Sequence, residues 1–119
     1  MRTILVIDDE PDQLTLARLG LELMEGWQVL TATSPSEGVR LAATCRPDAI
    51  LLDMTFPDTD GVEVLGRLRA QEETRETPVL FVSGTLAGAA AAELGVAGVV
   101  HKPFDVTRLG PYVASRLGW

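Results

Sequence analysis

Five short apolar runs punctuate the chain, at residues 3–7, 28–31, 49–52, 79–82 and 98–100. Each is rich in Val, Ile or Leu with little polar alternation, the pattern of strands buried on both faces. The segments between them read as helices. In the first, Leu14, Ala17, Leu21 and Met24 recur at spacings of three and four and predict one buried stripe. The second opens with Ser34-Pro35-Ser36-Glu37, a capping box with proline at the first helical position, where its missing N–H costs nothing. The third follows Asp60-Gly61 and places Val62, Leu65 and Leu68 on one face. The fourth, over 86–94, is alanine-rich and weakly patterned. The fifth follows Pro103-Phe104-Asp105 and runs toward Leu117, with Gly110-Pro111 expected to kink or delay it.

Five strand–helix repeats in 119 residues leave few topologies. The strands must run parallel with right-handed crossovers, and helices must cover both sheet faces. The expectation is one domain over residues 1–119, a three-layer α/β/α sandwich with ligands at the carboxyl ends of the strands. Composition adds three limits. The net charge of −7, from 17 acidic against 10 basic residues, argues against direct nucleic-acid binding. The single cysteine, Cys45, forms no internal disulfide and reads as a small buried apolar residue. The N-terminal apolar run is too short for a signal peptide or a membrane span, so a cytoplasmic protein is expected.

The residues just after each apolar run carry the chemistry. Asp8, Asp9 and Glu10 follow the first, Asp53 the third, Ser83 the fourth, and His101 and Lys102 the fifth. Strand ends of a parallel sheet converge on one edge, so these groups should share a shallow pocket. Carboxylates packed together repel and raise one another's pKa unless a cation intervenes. Mg²⁺ suits such a site, because it takes oxygen ligands from one or two carboxylates, waters and a phosphate. It can offset charge on a phosphoryl group, with Lys102 as a second cation and the Ser83 hydroxyl as a donor. Aspartate is a competent nucleophile for phosphoryl transfer, and Asp53, alone at the end of the central run, is the candidate.

Val6-Ile7-Asp8-Asp9-Glu10, Leu51-Leu52-Asp53-Met54, Pro57-Asp58-Thr59-Asp60-Gly61, Val82-Ser83-Gly84 and Lys102-Pro103-Phe104 occur in this order. Together they resemble, end to end, the receiver domain of two-component response regulators, of the stand-alone chemotaxis-regulator type. The resemblance implies a flavodoxin-like sheet of order 2-1-3-4-5 with Asp53 as phosphoacceptor. It implies direct Mg²⁺ ligation by Asp9 and Asp53, with Asp8 acting through water and the Thr55 backbone carbonyl completing the protein ligands. Ser83 and Lys102 would contact phosphoryl oxygens, and the Lys102–Pro103 peptide would be cis. The implied partner is a sensor histidine kinase or histidine phosphotransfer protein. Output would pass by contact with a downstream protein, and the chain would be a signalling protein rather than an enzyme.

Each of these positions also admits a plainer reading. Asp8, Asp9 and Glu10 before Pro11 could merely cap a helix, but their convergence with Asp53 and Lys102 favours a metal site. Asp58 and Asp60 read as turn and cap residues, His101 as a bystander on the rim, and Trp27 and Trp119 as packing residues. A flavodoxin-like cofactor binder would need an uncharged phosphate loop where Asp8-Asp9-Glu10 stands. A phosphohydrolase of the haloacid dehalogenase type would want a second acid where Thr55 stands. Two departures from the receiver pattern keep a constitutive docking module in view. Val99 occupies a usually aromatic position, and the interval from Ser83 to Lys102 is shortened around the fourth helix. Residues 84–94 are accordingly expected to pack marginally and to be ordered by phosphorylation.

Overall fold

The computed structural model describes residues 1–85 and 88–119. Five strands, β1 (Thr3–Ile7), β2 (Gln28–Ala32), β3 (Ala49–Asp53), β4 (Val79–Ser83) and β5 (Gly98–His101), form one sheet of order β2-β1-β3-β4-β5. Every pairing is parallel. Five helices alternate with them: α1 (Pro11–Glu25), α2 (Pro35–Cys45), α3 (Gly61–Ala70), α4 (Gly88–Glu93) and α5 (Val106–Leu117). A single 3-10 turn, Glu72–Thr74, follows α3. The three-layer sandwich and its strand order are those expected. Each strand after the first extends one residue past its apolar run. The start of the expected fourth helix, Leu86 and Ala87, lies outside the described residues. So does part of the segment expected to order on phosphorylation.

The strand runs are apolar throughout because alternate residues feed two cores. Leu5, Ile7, Ile50, Leu52, Val79, Phe81 and Val99 face α2, α3 and α4. Ile4, Val6, Leu51, Leu80, Val82 and Val100 face α1 and α5. The α2 cap forms as the sequence predicts, with Ser34 Oγ accepting the Glu37 N–H at 3.2 Å. Glu37 Oε1 reaches back to the Thr33 N–H at 2.9 Å, one residue before the cap itself. At the chain's end Trp119 meets Trp27 edge to face at 5.2 Å, and the Arg2 guanidinium lies 4.1 Å from its ring centre. Both tryptophans are packing residues, as expected.

Four local expectations need correction. Met24 is 53% exposed, and the buried stripe of α1 is completed by Gly20 instead. A Cβ on Gly20 would stand 2.7 Å from the Val106 carbonyl oxygen, so the absent side chain lets α1 and α5 approach. In α3 the buried residue is Val64 and not Val62, because a turn of 3.6 residues puts Val64 within 40° of Leu68, while Val62 stands about 120° from Leu68. Cys45 is exposed rather than buried. It ends α2 where the chain reverses through Arg46 at φ 46°, and Pro47 goes inward in its place. Finally, α5 continues without a break through Gly110-Pro111. Leu109 and Val113, buried on either side, hold the helix to the core although Pro111 donates no hydrogen bond.

Gly38 on α2 shows how tightly that layer seats. A Cβ there would stand 2.5 to 2.9 Å from three side-chain carbons of Ile7, which is itself wholly buried. Gly38→Ala is therefore expected to destabilise the fold by about 1–3 kcal/mol through overpacking, despite the better helix propensity of alanine. Urea unfolding of the two proteins checks this; an unchanged or raised midpoint would contradict it.

Candidate phosphoryl and metal site

The backbone ladders place the site residues. The Asp8 N–H donates to the Ala32 carbonyl at 3.1 Å, fixing the exit of β1 against β2. Asp53 is the last residue of β3, and the next N–H, of Met54, bonds the Val82 carbonyl of β4 at 3.1 Å. Ser83 ends β4, and its carbonyl accepts the Lys102 N–H at 2.9 Å. Four neighbouring strands thus deliver Asp8, Asp53, Ser83 and Lys102 to one edge. A cavity of about 450 Å³ opens there, lined by Asp9, Glu10, Asp53, Thr55, Ser83 and Lys102 together with Phe56, Pro57 and Gly84.

Asp8 and Asp53 are 4% and 3% exposed, so both carboxylates have left bulk water behind. One carboxylate oxygen from each of Asp8, Asp9 and Asp53 lies within 4.8 Å of the others. Lys102 Nζ stands 3.2 Å from Asp53 Oδ1 and 3.7 Å from Asp8 Oδ2. Asp53 Oδ1 also accepts the Thr55 N–H at 3.4 Å, and Asp8 Oδ1 accepts the Glu10 N–H at 3.0 Å. The Lys102–Pro103 peptide is cis.

Electrostatics follow from this crowding. Burial pushes the Asp8 carboxyl up to about 6, and the Asp53 charge adds to the rise against the Glu10 hydrogen bond and Lys102, which lower it. Burial pulls the Lys102 ammonium down, but the Asp8 and Asp53 carboxylates outweigh it and leave Lys102 above its ordinary value. Among the described residues lining the cavity Lys102 is the only cation, facing acids that outnumber it. A hard divalent cation fits that donor set: carboxylate oxygens close enough to share one ion, and a buried acid whose proton it would displace.

The other sequence-picked residues divide cleanly. Thr55 lines the cavity, and Ser83 stands on its rim with Oγ accepting the Thr85 N–H at 3.1 Å. Asp60 is the N-cap of α3 and accepts the Glu63 N–H at 2.9 Å. Asp58 and His101 are exposed, and neither lines the cavity. Sequence reasoning missed the wall formed by Phe56 and the part played by Gly61. A Cβ on Gly61 would stand 2.9 Å from the Asp53 carbonyl oxygen, so glycine there lets the loop after β3 close beneath the site. Gly61 ends a motif already noticed and Phe56 falls between two, but their roles depend on a loop path that periodicity does not encode.

A doubly wound α/β domain with an acidic cleft at its strand ends, its carboxylates close enough to share one cation, is the class that fold and site define. The chain matches the family model of the response regulator receiver domain over residues 4–114 and belongs to that family. It is 37% identical to the transcriptional regulatory protein KdpE of Mycobacterium tuberculosis over 109 residues, covering 89% of this chain and 46% of that one. Against the alkaline phosphatase synthesis transcriptional regulatory protein PhoP of Bacillus subtilis it is 36% identical, covering 98% of this chain and 48% of that one. The chain thus spans about half the length of these relatives. The chemotaxis response regulator CheY4 of Vibrio cholerae superposes with TM-score 0.88 at 24% identity, covering 98% of each chain, which shows the shared fold. A response regulator structure from Chloroflexus aurantiacus superposes at 0.87 with 28% identity, covering 99% and 98%. Receiver domains are signalling domains that bind Mg²⁺ through an acidic pocket and interact with histidine kinases or phosphotransfer proteins. Among the described residues no helix is long and apolar enough to cross a membrane.

Proposed function

We propose that residues 1–119 act as a phosphoacceptor of a two-component system, taking a phosphoryl group onto Asp53 from a phosphohistidine on a sensor kinase or phosphotransfer protein. The observation that carries this reading is Asp53 itself. It is buried at the end of the central strand, faces an open cavity, is held by Lys102, and has two further carboxylates within reach of a shared ion. A carboxylate oxygen of Asp53 forms the bond to phosphorus while the phosphorus–nitrogen bond of the donor breaks, and the imidazole keeps the electron pair. Asp8, Asp9, Asp53 and the Thr55 carbonyl would hold Mg²⁺, which supplies a hard dication against the charge on the phosphoryl oxygens. Lys102 offers its ammonium to a phosphoryl oxygen, exchanging one anionic partner for another without leaving the cavity. Ser83, at the end of the adjacent strand, contributes a hydroxyl donor. The signal then leaves by contact with a downstream protein; the charge of −7 does not suit direct contact with nucleic acid.

Incubation with acetyl phosphate tests the reading. With Mg²⁺ the intact mass should rise by one phosphoryl group, and with a chelator it should not. Uptake that ignores Mg²⁺ would overturn the metal's role, and no uptake in either condition would overturn the proposal. The ligand assignment has its own check, by titrating Mg²⁺ into unphosphorylated protein by calorimetry. Asp9→Ala should weaken binding by about tenfold or more, as loss of one charged ligand does. Equal affinities would remove Asp9 from the site.

A further inference from the structure

β5 lies at one end of the sheet, and an edge strand offers unpaired backbone groups to any other strand that meets it. Such edges are ordinarily blunted by lysine, proline or a bulge. The four residues of β5, Gly98-Val99-Val100-His101, include neither residue type, and their register with β4 runs unbroken. The Lys102 N–H bonds the Ser83 carbonyl of β4 at 2.9 Å. Alternate residues of a parallel strand turn their backbone groups to opposite sides, so Gly98 and Val100 face β4 while Val99 and His101 face outward.

Two side chains of α5 reach round to that outer side. The Val99 N–H donates to the Tyr112 hydroxyl at 3.1 Å, and Arg116 Nε donates to the Ala97 carbonyl at 2.8 Å. Tyr112 and Arg116 are four residues apart and so project from one face of α5. Gly98 makes their approach possible. A Cβ there would stand 2.8 Å from the Tyr112 hydroxyl oxygen and 3.1 Å from both Cγ and Nε of Arg116. Tyr112 and Val99 also wall both cavities beside β5, of about 360 and 250 Å³, so the ring occupies space that an added strand would need. The opposite edge of the sheet is covered by the same means but more loosely. Arg18 of α1 reaches the Val29 carbonyl of β2 at 3.5 Å and Thr31 Oγ1 at 3.4 Å, near the outer limit of hydrogen bonding. Neither Tyr112 nor Arg116 lines the acidic cavity.

We infer that Tyr112 and Arg116 form a strap that seals the free edge of β5, with Gly98 as the seat that admits it. While the strap is closed the edge takes no further strand. With the strap released, β5 of one copy pairs edge to edge with β5 of another, about a two-fold axis. The device is independent of phosphoryl chemistry at Asp53.

Amide exchange followed by two-dimensional NMR tests the seal. Tyr112→Phe keeps the ring and removes only the acceptor, so the Val99 amide should exchange about tenfold faster. The Val100 amide, which faces β4, should be unchanged, and a general loss of stability would move both. Gly98→Ala should accelerate Val99 to the same extent with both strap residues intact. Combining it with Tyr112→Phe should add nothing, because the two substitutions break one bond. Sedimentation velocity over a concentration series tests the release. Tyr112→Ala together with Arg116→Ala should dimerise with a dissociation constant at least about tenfold below the parent's. Adding His101→Pro should return this variant to the parent's behaviour, because proline removes an outward N–H and costs the β4 ladder nothing. An unchanged Val99 amide in Tyr112→Phe overturns the seal. A strap variant that associates no more than the parent, or whose dimers survive His101→Pro, overturns strand pairing at this edge.

Discussion

Asp53→Asn is expected to take up no phosphoryl group from acetyl phosphate and Mg²⁺ under conditions in which the parent chain gains one. The substitution keeps the size of the side chain and an oxygen that can accept from Lys102 and the Thr55 N–H, so the fold should survive. What it removes is the anionic nucleophile, and a neutral amide oxygen cannot replace it. Intact mass measurement reads the result, and a parallel melting curve shows that the variant is folded. Full labelling of Asp53→Asn would move the acceptor to another acid, Asp8 and Asp9 being the nearest carboxylates. Lys102→Ala separates position from charge: it leaves Asp53 in place but removes the ammonium that faces it. Uptake should slow by roughly a hundredfold, the scale on which one preorganised charge at a transferring group acts.

The second large effect concerns stability. Asp8 is held at about 6 against an ordinary value of 3.8, so the folded chain binds its proton more tightly than the unfolded chain does. Between these values the folded state carries more protons, and stability falls as pH rises. Asp8 therefore costs the metal-free protein nothing near pH 3 and its full penalty above pH 6. The gap corresponds to roughly 3 kcal/mol. Asp8→Asn keeps an acceptor for the Glu10 N–H at 3.0 Å and cannot ionise. At pH 7 in chelator it is expected to be more stable than the parent by about 1–3 kcal/mol, with the difference closing toward pH 4. Mg²⁺ should narrow the gap from the other side, because an ion binding only the folded parent stabilises it by mass action. Denaturant unfolding at pH 4 and 7, with and without Mg²⁺, decides the matter. A variant less stable than its parent at pH 7 without metal would show that Asp8 is held by its partners rather than strained by its neighbours.

Such strain is a property of placement and not of composition. Nothing in Asp8-Asp9-Glu10 by itself separates a helix-capping run from a buried acid pushed toward neutrality. The difference is made by β3 and β5, which bring Asp53 within 4.8 Å and Lys102 within 3.7 Å of Asp8 from 45 and 94 positions further along the chain.

Much was nevertheless legible in the chain alone. The apolar runs located all five strands, because a parallel strand covered on both faces must be apolar at nearly every position. The residues ending those runs gave Asp8, Asp9, Asp53, Ser83 and Lys102, because strand ends of one parallel sheet share an edge whatever the side chains. Ser34 and Glu37 announced the start of α2 through bonds spanning a few residues. These are local or topological constraints, and sequence carries both. Tertiary packing decided the rest. It turned Val64 rather than Val62 inward, left Met24 and Cys45 in solvent, and kept α5 continuous through a proline that local propensity would treat as a break. Helical periodicity says which residues can share a face, but the neighbouring element decides which face is covered and where cover ends. Gly20 and Gly61 make the same point from the opposite direction. A missing side chain has no pattern to read until Val106 and Asp53 come close enough for a Cβ to be in the way.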